Sequence, residues 1–206
     1  MMILLEKFIP IIGTLCGVTI GSCLTYFLAN KREIKKVNRL KSSLWGELEY
    51  IRKQNLDLLS ALIREKTTLD KKYELKYICQ PMLIDMEYIN NLQKELSGYV
   101  EKEVREVIRF IENYSALLNR EVIRKNEANT NGEIDSFYFH ICRCIIESCK
   151  LNFHLDESIK TQTNSSFDCN LTIEDIILKS VEQAELEQEF TIDDVTYLFE
   201  ICPKNI

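Results

Sequence analysis

Residues 8–30 read FIPIIGTLCGVTIGSCLTYFLAN, an uncharged and mostly apolar stretch that ends abruptly at Lys31 and Arg32. A helix rises about 1.5 Å per residue, so the roughly 22 residues from 8 to 29 match the ~30 Å hydrocarbon core of a bilayer. No second stretch of that kind occurs in the 206 residues. The expectation is an all-α protein. An N-terminal transmembrane helix (residues 1–30) continues into a basic amphipathic helical stalk (31–66). A small antiparallel helical bundle (67–160), a linker (161–170) and an acidic segment with short C-terminal helices (171–206) follow.

Two processed leaders resemble such an anchor. A secretory signal peptide needs a positive n-region, whereas Glu6 cancels Lys7 here, and no A-x-A-like site precedes the basic run. Ile20-Gly21-Ser22-Cys23 resembles a lipoprotein cleavage box, yet the chain stays apolar from Leu24 to Ala29. Lys31, Arg32, Lys35, Lys36, Arg39 and Lys41 face a single acid, Glu33, between residues 31 and 41. The positive-inside rule then predicts a single-pass protein of the cell membrane with its N-terminus outside and its C-terminal domain in the cytosol. The eight cysteines lack framework spacing, so free thiols are expected in that compartment.

Gly13, Gly17 and Gly21 recur every four residues, and Thr25 continues the row. On a helix these positions share one face and leave a groove where a second backbone can approach closely, which predicts self-association into a homo-oligomer. Thr14 and Ser22 border that groove.

Beyond the basic flank, Val37, Leu40, Leu44, Leu48, Ile51, Leu58 or Leu59, and Leu62 recur in threes and fours, the stripe of an amphipathic helix. Asn55 falls within the stripe, either as a register-setting polar residue or as a satisfied core asparagine. Pro81 can start a helix carrying Met82, Met86, Ile89, Leu92 and Leu96, with Ser97-Gly98 ending it. A further helix carries Val100, Val104, Val107, Ile111, Tyr114, Leu118 and Val122; residues 126–133 read as a loop; another helix over about 134–155 carries Tyr138, Ile141, Cys142, Ile145 and Cys149. Leu171-Thr-Ile-Glu-Asp-Ile and Phe190-Thr-Ile-Asp-Asp-Val predict two capping boxes, Thr172 with Asp175 and Thr191 with Asp194.

Charge divides the chain. Residues 31–66 hold ten bases and five acids, and residues 67–206 hold fifteen bases and twenty-six acids. The first part suits an anionic lipid surface, and the second disfavours nucleic acid as a partner. The acids Glu182, Glu185, Glu187, Glu189, Asp193 and Asp194 form a solvated helix face or a surface for a basic cytosolic protein.

Only Gly46, Gly98 and Gly132 lie outside the apolar stretch, so no glycine-rich loop exists to cradle phosphates, and neither histidine, His140 or His154, sits in a catalytic motif. One metal candidate stands out: His140, Cys144 and Glu147 share a helical stripe, with His154 or Cys169 as a possible fourth ligand. No paired C-x-x-C knuckle supports it, and no cofactor is expected.

The order of parts, with Leu44-Trp-Gly-Glu-Leu-Glu-Tyr-Ile, Asn55 and Phe110-Ile-Glu-Asn-Tyr-Ser-Ala-Leu-Leu-Asn, resembles uncharacterised bacterial single-pass membrane proteins with a small cytosolic helical domain, some found near phage-defence or prophage genes. The resemblance covers residues 8–125 and implies no activity. The sequence thus points to a non-enzymatic membrane-tethered interaction or regulatory protein. The alternative is a membrane-disrupting effector, pore-forming or holin-like, gated by its helical domain.

Overall fold

A computed structural model describes residues 2–71, 83–100, 102–161 and 171–202, the side chains of 2–13, 15 and 161 excepted. Six α-helices occur among the described residues, and no strand does: α1 (Met2–Asp70), α2 (Glu87–Glu95), α3 (Lys102–Thr130), α4 (Ile134–Thr161), α5 (Ile173–Gln183) and α6 (Ile192–Ile201). The all-α bundle expected from the apolar periodicities is therefore present. The chain divides into two compact units, Met1–Ser43 and Leu44–Ile206.

The expected transmembrane helix is corrected, because among the described residues no helix is long and apolar enough to cross a membrane. α1 is continuous, but the uncharged run whose side chains are described, 16–30, covers only about 22 Å at ~1.5 Å per residue, short of the ~30 Å needed. Gly17, Thr19, Gly21, Ser22 and Thr25 also dilute its apolar character before Lys31, Arg32 and Glu33 end it. The side chains from Phe8 to Gly13, on which the rest of that reading falls, lie outside the described residues.

The second unit begins where the α1 stripe becomes core. Leu44, Leu48, Ile51, Leu58, Leu59, Leu62 and Ile63 are all buried, whereas Val37 and Leu40 are only half-buried. The stripe read as a stalk is thus, from Leu44 onward, the inward face of a bundle helix. α3 and α4 pack against each other, and Val107, Ile111, Leu118 and Val122 of the one and Ile141, Ile145 and Cys149 of the other are buried. Asn55 settles as a satisfied core asparagine: its amide donates to the Ser148 carbonyl at 2.8 Å and its Oδ1 accepts from the Ser148 hydroxyl at 2.9 Å.

Three boundaries differ from expectation. α2 starts at Glu87, and Pro81 and Met82 lie outside the described residues, as do residues 162–170 of the linker read over 161–170, whose first residue, Thr161, ends α4. The loop expected over 126–133 shrinks to its last three residues, because α3 continues to Thr130 and buries Ala128. Gly132, at φ +73°, then closes the helix: its N–H donates to the Asn129 carbonyl and that of Glu133 to the Ala128 carbonyl, a Schellman cap. α4 runs on to Thr161, past the expected end near 155.

The two capping boxes are found. Asp175 N–H donates to the Thr172 hydroxyl at 3.2 Å while Asp175 Oδ2 accepts from Thr172 N–H at 3.0 Å. At α6, Asp194 Oδ2 accepts from Thr191 N–H at 2.9 Å. A second Schellman cap ends α5, with Leu186 N–H bonded to the Val181 carbonyl, Glu185 N–H to the Glu182 carbonyl, and the Leu186 and Val181 side chains both buried. Its left-handed residue is Glu185, at φ +58°. A Cβ in that conformation costs about 1–2 kcal/mol. Glu185→Gly is expected to stabilise the fold by up to about 1 kcal/mol after glycine's larger entropy loss, read as a raised urea midpoint with unchanged slope.

Candidate functional site

In the first unit, the side chains and glycines described from residue 16 to residue 36 are all exposed. A Cβ added at Gly17 or Gly21 would meet nothing within 4 Å, so the groove expected of the glycine row is open. The side chain of Thr25 turns inward to its own helix, its hydroxyl donating to the Gly21 carbonyl at 2.8 Å. Gly13 belongs to a stretch whose side-chain surroundings are outside the described residues. Lys31, Arg32, Lys35, Lys36, Arg39 and Lys41 are exposed, as the reading of a lipid-facing flank requires. Large apolar side chains in this segment are exposed too, including Val18 at 63%, Ile20 at 67% and Phe27 at 63%.

The stripe of His140, Cys144 and Glu147 does not converge on one point. His140 Nδ1 lies 2.9 Å from Glu121 Oε2, and Glu147 Oε1 takes Lys150 Nζ at 3.3 Å and Arg143 at 3.8 Å. Cys144 is wholly buried, and burial pushes its thiol up, away from the thiolate that a metal would bind. Among the described residues no group of three or more His, Cys, Asp and Glu side chains is placed to hold a metal ion. Cys169 lies outside the described residues, and His154 is stacked on Tyr114 at 4.5 Å.

Sequence reasoning missed the charged groups that the second unit buries. Lys125, with no exposed side-chain surface, donates to Glu65 Oε2 at 2.7 Å, and Glu65 is only 5% exposed. One residue further along α1, Lys66 is 1% exposed and donates to Asp70 Oδ2 at 2.8 Å and to Asp194 Oδ1 at 3.0 Å. The Phe190 and Tyr197 rings approach its ammonium at 5.7 and 5.4 Å. Tyr138 extends the chain of contacts by donating to Asp70 Oδ1 at 2.6 Å. Burial disfavours the Lys66 charge, but hydrogen bonds and attraction from Asp70 and Asp194 outweigh it and hold its pKa above the usual lysine value. Burial likewise works against the Asp194 carboxylate, and the bonds from Thr191 and Lys66 overcome it, leaving its pKa depressed.

The charged carboxylates in the buried layer are engaged by cations, and burial raises the thiols of Cys142 and Cys149 to about 12 and that of Cys202 to about 11. Thiols so shifted are poor nucleophiles at neutral pH. The depression of about 400 Å³ lined by Ile123, Asn126, Glu127, Thr130 and Asn131 belongs to the end of one helix and its cap. It gathers a single titratable side chain, Glu127, and so has no paired acid and base.

Two outcomes follow from this charge distribution. Lys125→Ala is expected to destabilise the fold by about 3–5 kcal/mol, since it leaves a carboxylate in the core without its cation, whereas Lys125→Met with Glu65→Leu is expected to be near neutral. Urea melts of the single and double variants check this. His154 is the second case: burial, with a smaller push from Lys150, lowers its pKa to about 4. The unfolded chain then binds more protons than the native one between pH 6.5 and 4, so stability is full above about 6.5 and falls as the pH drops toward 4. His154→Phe, which keeps a stacking ring, is expected to remove that slope from a pH series of melts. Comparison of the chain with protein-family models, curated proteins and solved structures finds no match.

Proposed function

We propose that the protein is a non-enzymatic interaction or regulatory protein, tethered to a lipid membrane through the first unit and self-associating through the α1 face that bears Gly17, Gly21 and Thr25. One observation carries the reading: Val18, Ile20, Leu24, Tyr26, Phe27 and Leu28 are all exposed on a single helix. Successive residues turn by roughly 100°, so these side chains point around most of the helix circumference. A protein partner lying along one face would leave the others in water, at about 25 cal/mol for each Å² of apolar surface. Insertion of this part of the helix into one leaflet covers these side chains without crossing the bilayer, and the six bases that follow suit anionic headgroups. The acidic second unit is then free of that surface and available to a cytosolic protein.

Flotation of the full chain with vesicles of phosphatidylcholine and phosphatidylglycerol tests the tether. Native protein is expected to float, and Leu24→Asp with Phe27→Asp to cut the bound fraction by about tenfold or more, since each substitution loses ~1.5–3 kcal/mol of apolar burial. Equal flotation of the two would sink the tether. Sedimentation in detergent micelles tests the pairing. A Cβ added at Gly17 meets nothing within 4 Å, so the expected effect of Gly17→Ile is loss of the oligomer with the melting curve of the second unit unchanged.

A further inference from the structure

α5 and α6 are fastened to the bundle by different means. α5 has several polar ties to α4: Ser180 donates to the Cys149 carbonyl at 3.2 Å, Asn152 donates to Gln183 at 2.6 Å, Gln183 donates to Asp156 at 3.1 Å, and Lys179 pairs with Glu157 at 3.4 Å. α6 has ten residues and buries Val195 and Leu198. Its polar hold on the rest of the unit, among the hydrogen bonds and ion pairs described, is the Asp194–Lys66 contact and a long approach of Cys202 Sγ to the Phe139 carbonyl at 4.0 Å.

We infer that α6 is a latch: residues 191–202 undock as one piece while the helices up to α5 stay folded, with Asp194 on Lys66 as the catch. The Lys66 ammonium keeps a carboxylate when α6 leaves, although α6 also brings the Tyr197 ring to it at 5.4 Å. Asp70 already holds the Lys66 ammonium at 2.8 Å and is itself held by Tyr138, so departure of Asp194 leaves a paired lysine and not an orphaned charge. Asp194 serves both sides of the catch, with Oδ1 on Lys66 and Oδ2 on the Thr191 N–H that opens α6. Losing the contact therefore also weakens the helix cap. A helix of this length, below the roughly 12–15 residues that are marginal alone, depends on docking to exist. The pivot lies after Phe190, since Leu186 N–H bonds to the Val181 carbonyl of α5, Phe190 N–H bonds to the Leu186 carbonyl, and both side chains are buried. Undocking uncovers a buried ammonium and the Cys202 thiol, and it is a local opening of low free energy next to a more firmly held core.

The thiols report the motion. Cys202 travels with α6, whereas Cys149 is covered by Ser180 of α5. Alkylation of the full native chain by N-ethylmaleimide, followed residue by residue by mass spectrometry, is expected to modify Cys202 faster than Cys149. Asp194→Asn is expected to accelerate Cys202 by about tenfold or more, which corresponds to ~1.4 kcal/mol, with Cys149 unchanged. Equal rates at the two cysteines in the native chain, or a Cys202 rate untouched by Asp194→Asn, would overturn the latch. If Asp194→Asn unfolds and all thiols react together, hydrogen exchange on the native chain decides. Amides of α6 exchanging ahead of those of α5 uphold the proposal, and exchange of both in one step refutes it.

Discussion

The second unit is organised around the pairing of charge removed from water. Lys125 lies between helices with no exposed side-chain surface, and Glu65 meets it at 2.7 Å; either charge alone in that layer would cost several kcal/mol. The pair fixes the rotation of α1 against α3, because a turn of either helix by one residue would separate the two groups. Asn55 with Ser148 does the same for α1 against α4, and Lys66 with Asp70 and Asp194 brings α6 to the same helix. Apolar burial supplies most of the driving force in such a bundle, but it is non-directional and tolerates alternative rotations. The buried polar contacts select one.

Lysine suits this role because its long apolar stem packs like a hydrophobe while the ammonium reaches a carboxylate at the tip. Phe137 stands 5.7 Å from the Lys125 ammonium, and Phe190 and Tyr197 flank that of Lys66, so each cation is also placed against aromatic faces. The arrangement pairs the buried ammonium groups of Lys66 and Lys125 with carboxylates. Its counterpart in the first unit is a helix whose apolar side chains have no protein neighbour to cover them.

Much of this was legible in the sequence where a local pattern suffices. The helical periodicities located α1, α3 and α4, and the Thr-x-x-Asp pairs marked the first turns of α5 and α6, since a cap depends only on residues three apart. The extension of α3 through residues 126–130 was not legible, because Asn126, Asn129 and Thr130 carry loop-like propensities that the burial of Lys125 and Ala128 overrides. A usable signal for the buried charges did exist. Glu65 and Lys66 stand three and four residues after Leu62, and Lys125 three after Val122, so all three fall on the apolar stripes, as Asn55 does. The anchor reading went the other way: composition alone favoured a spanning helix, and among the described residues α1 lacks the apolar length.

The sequence by itself determined the helical class, the inward faces of the long helices, the caps of the two short ones and the basic flank after residue 30. These are properties of neighbours within a turn or two, and backbone geometry converts them directly into structure. Only the tertiary structure decided that Glu65 meets Lys125, that Lys66 is shared by Asp70 and Asp194, and that His140 and Glu147 go to separate partners while Cys144 is buried. The partners Lys125 and Asp194 lie 60 and 128 residues from the α1 groups they meet. No periodicity encodes which distant helix will present a matching charge. That match emerges when packing brings the helices together and the energetic penalty for an unpaired buried ion removes the other arrangements.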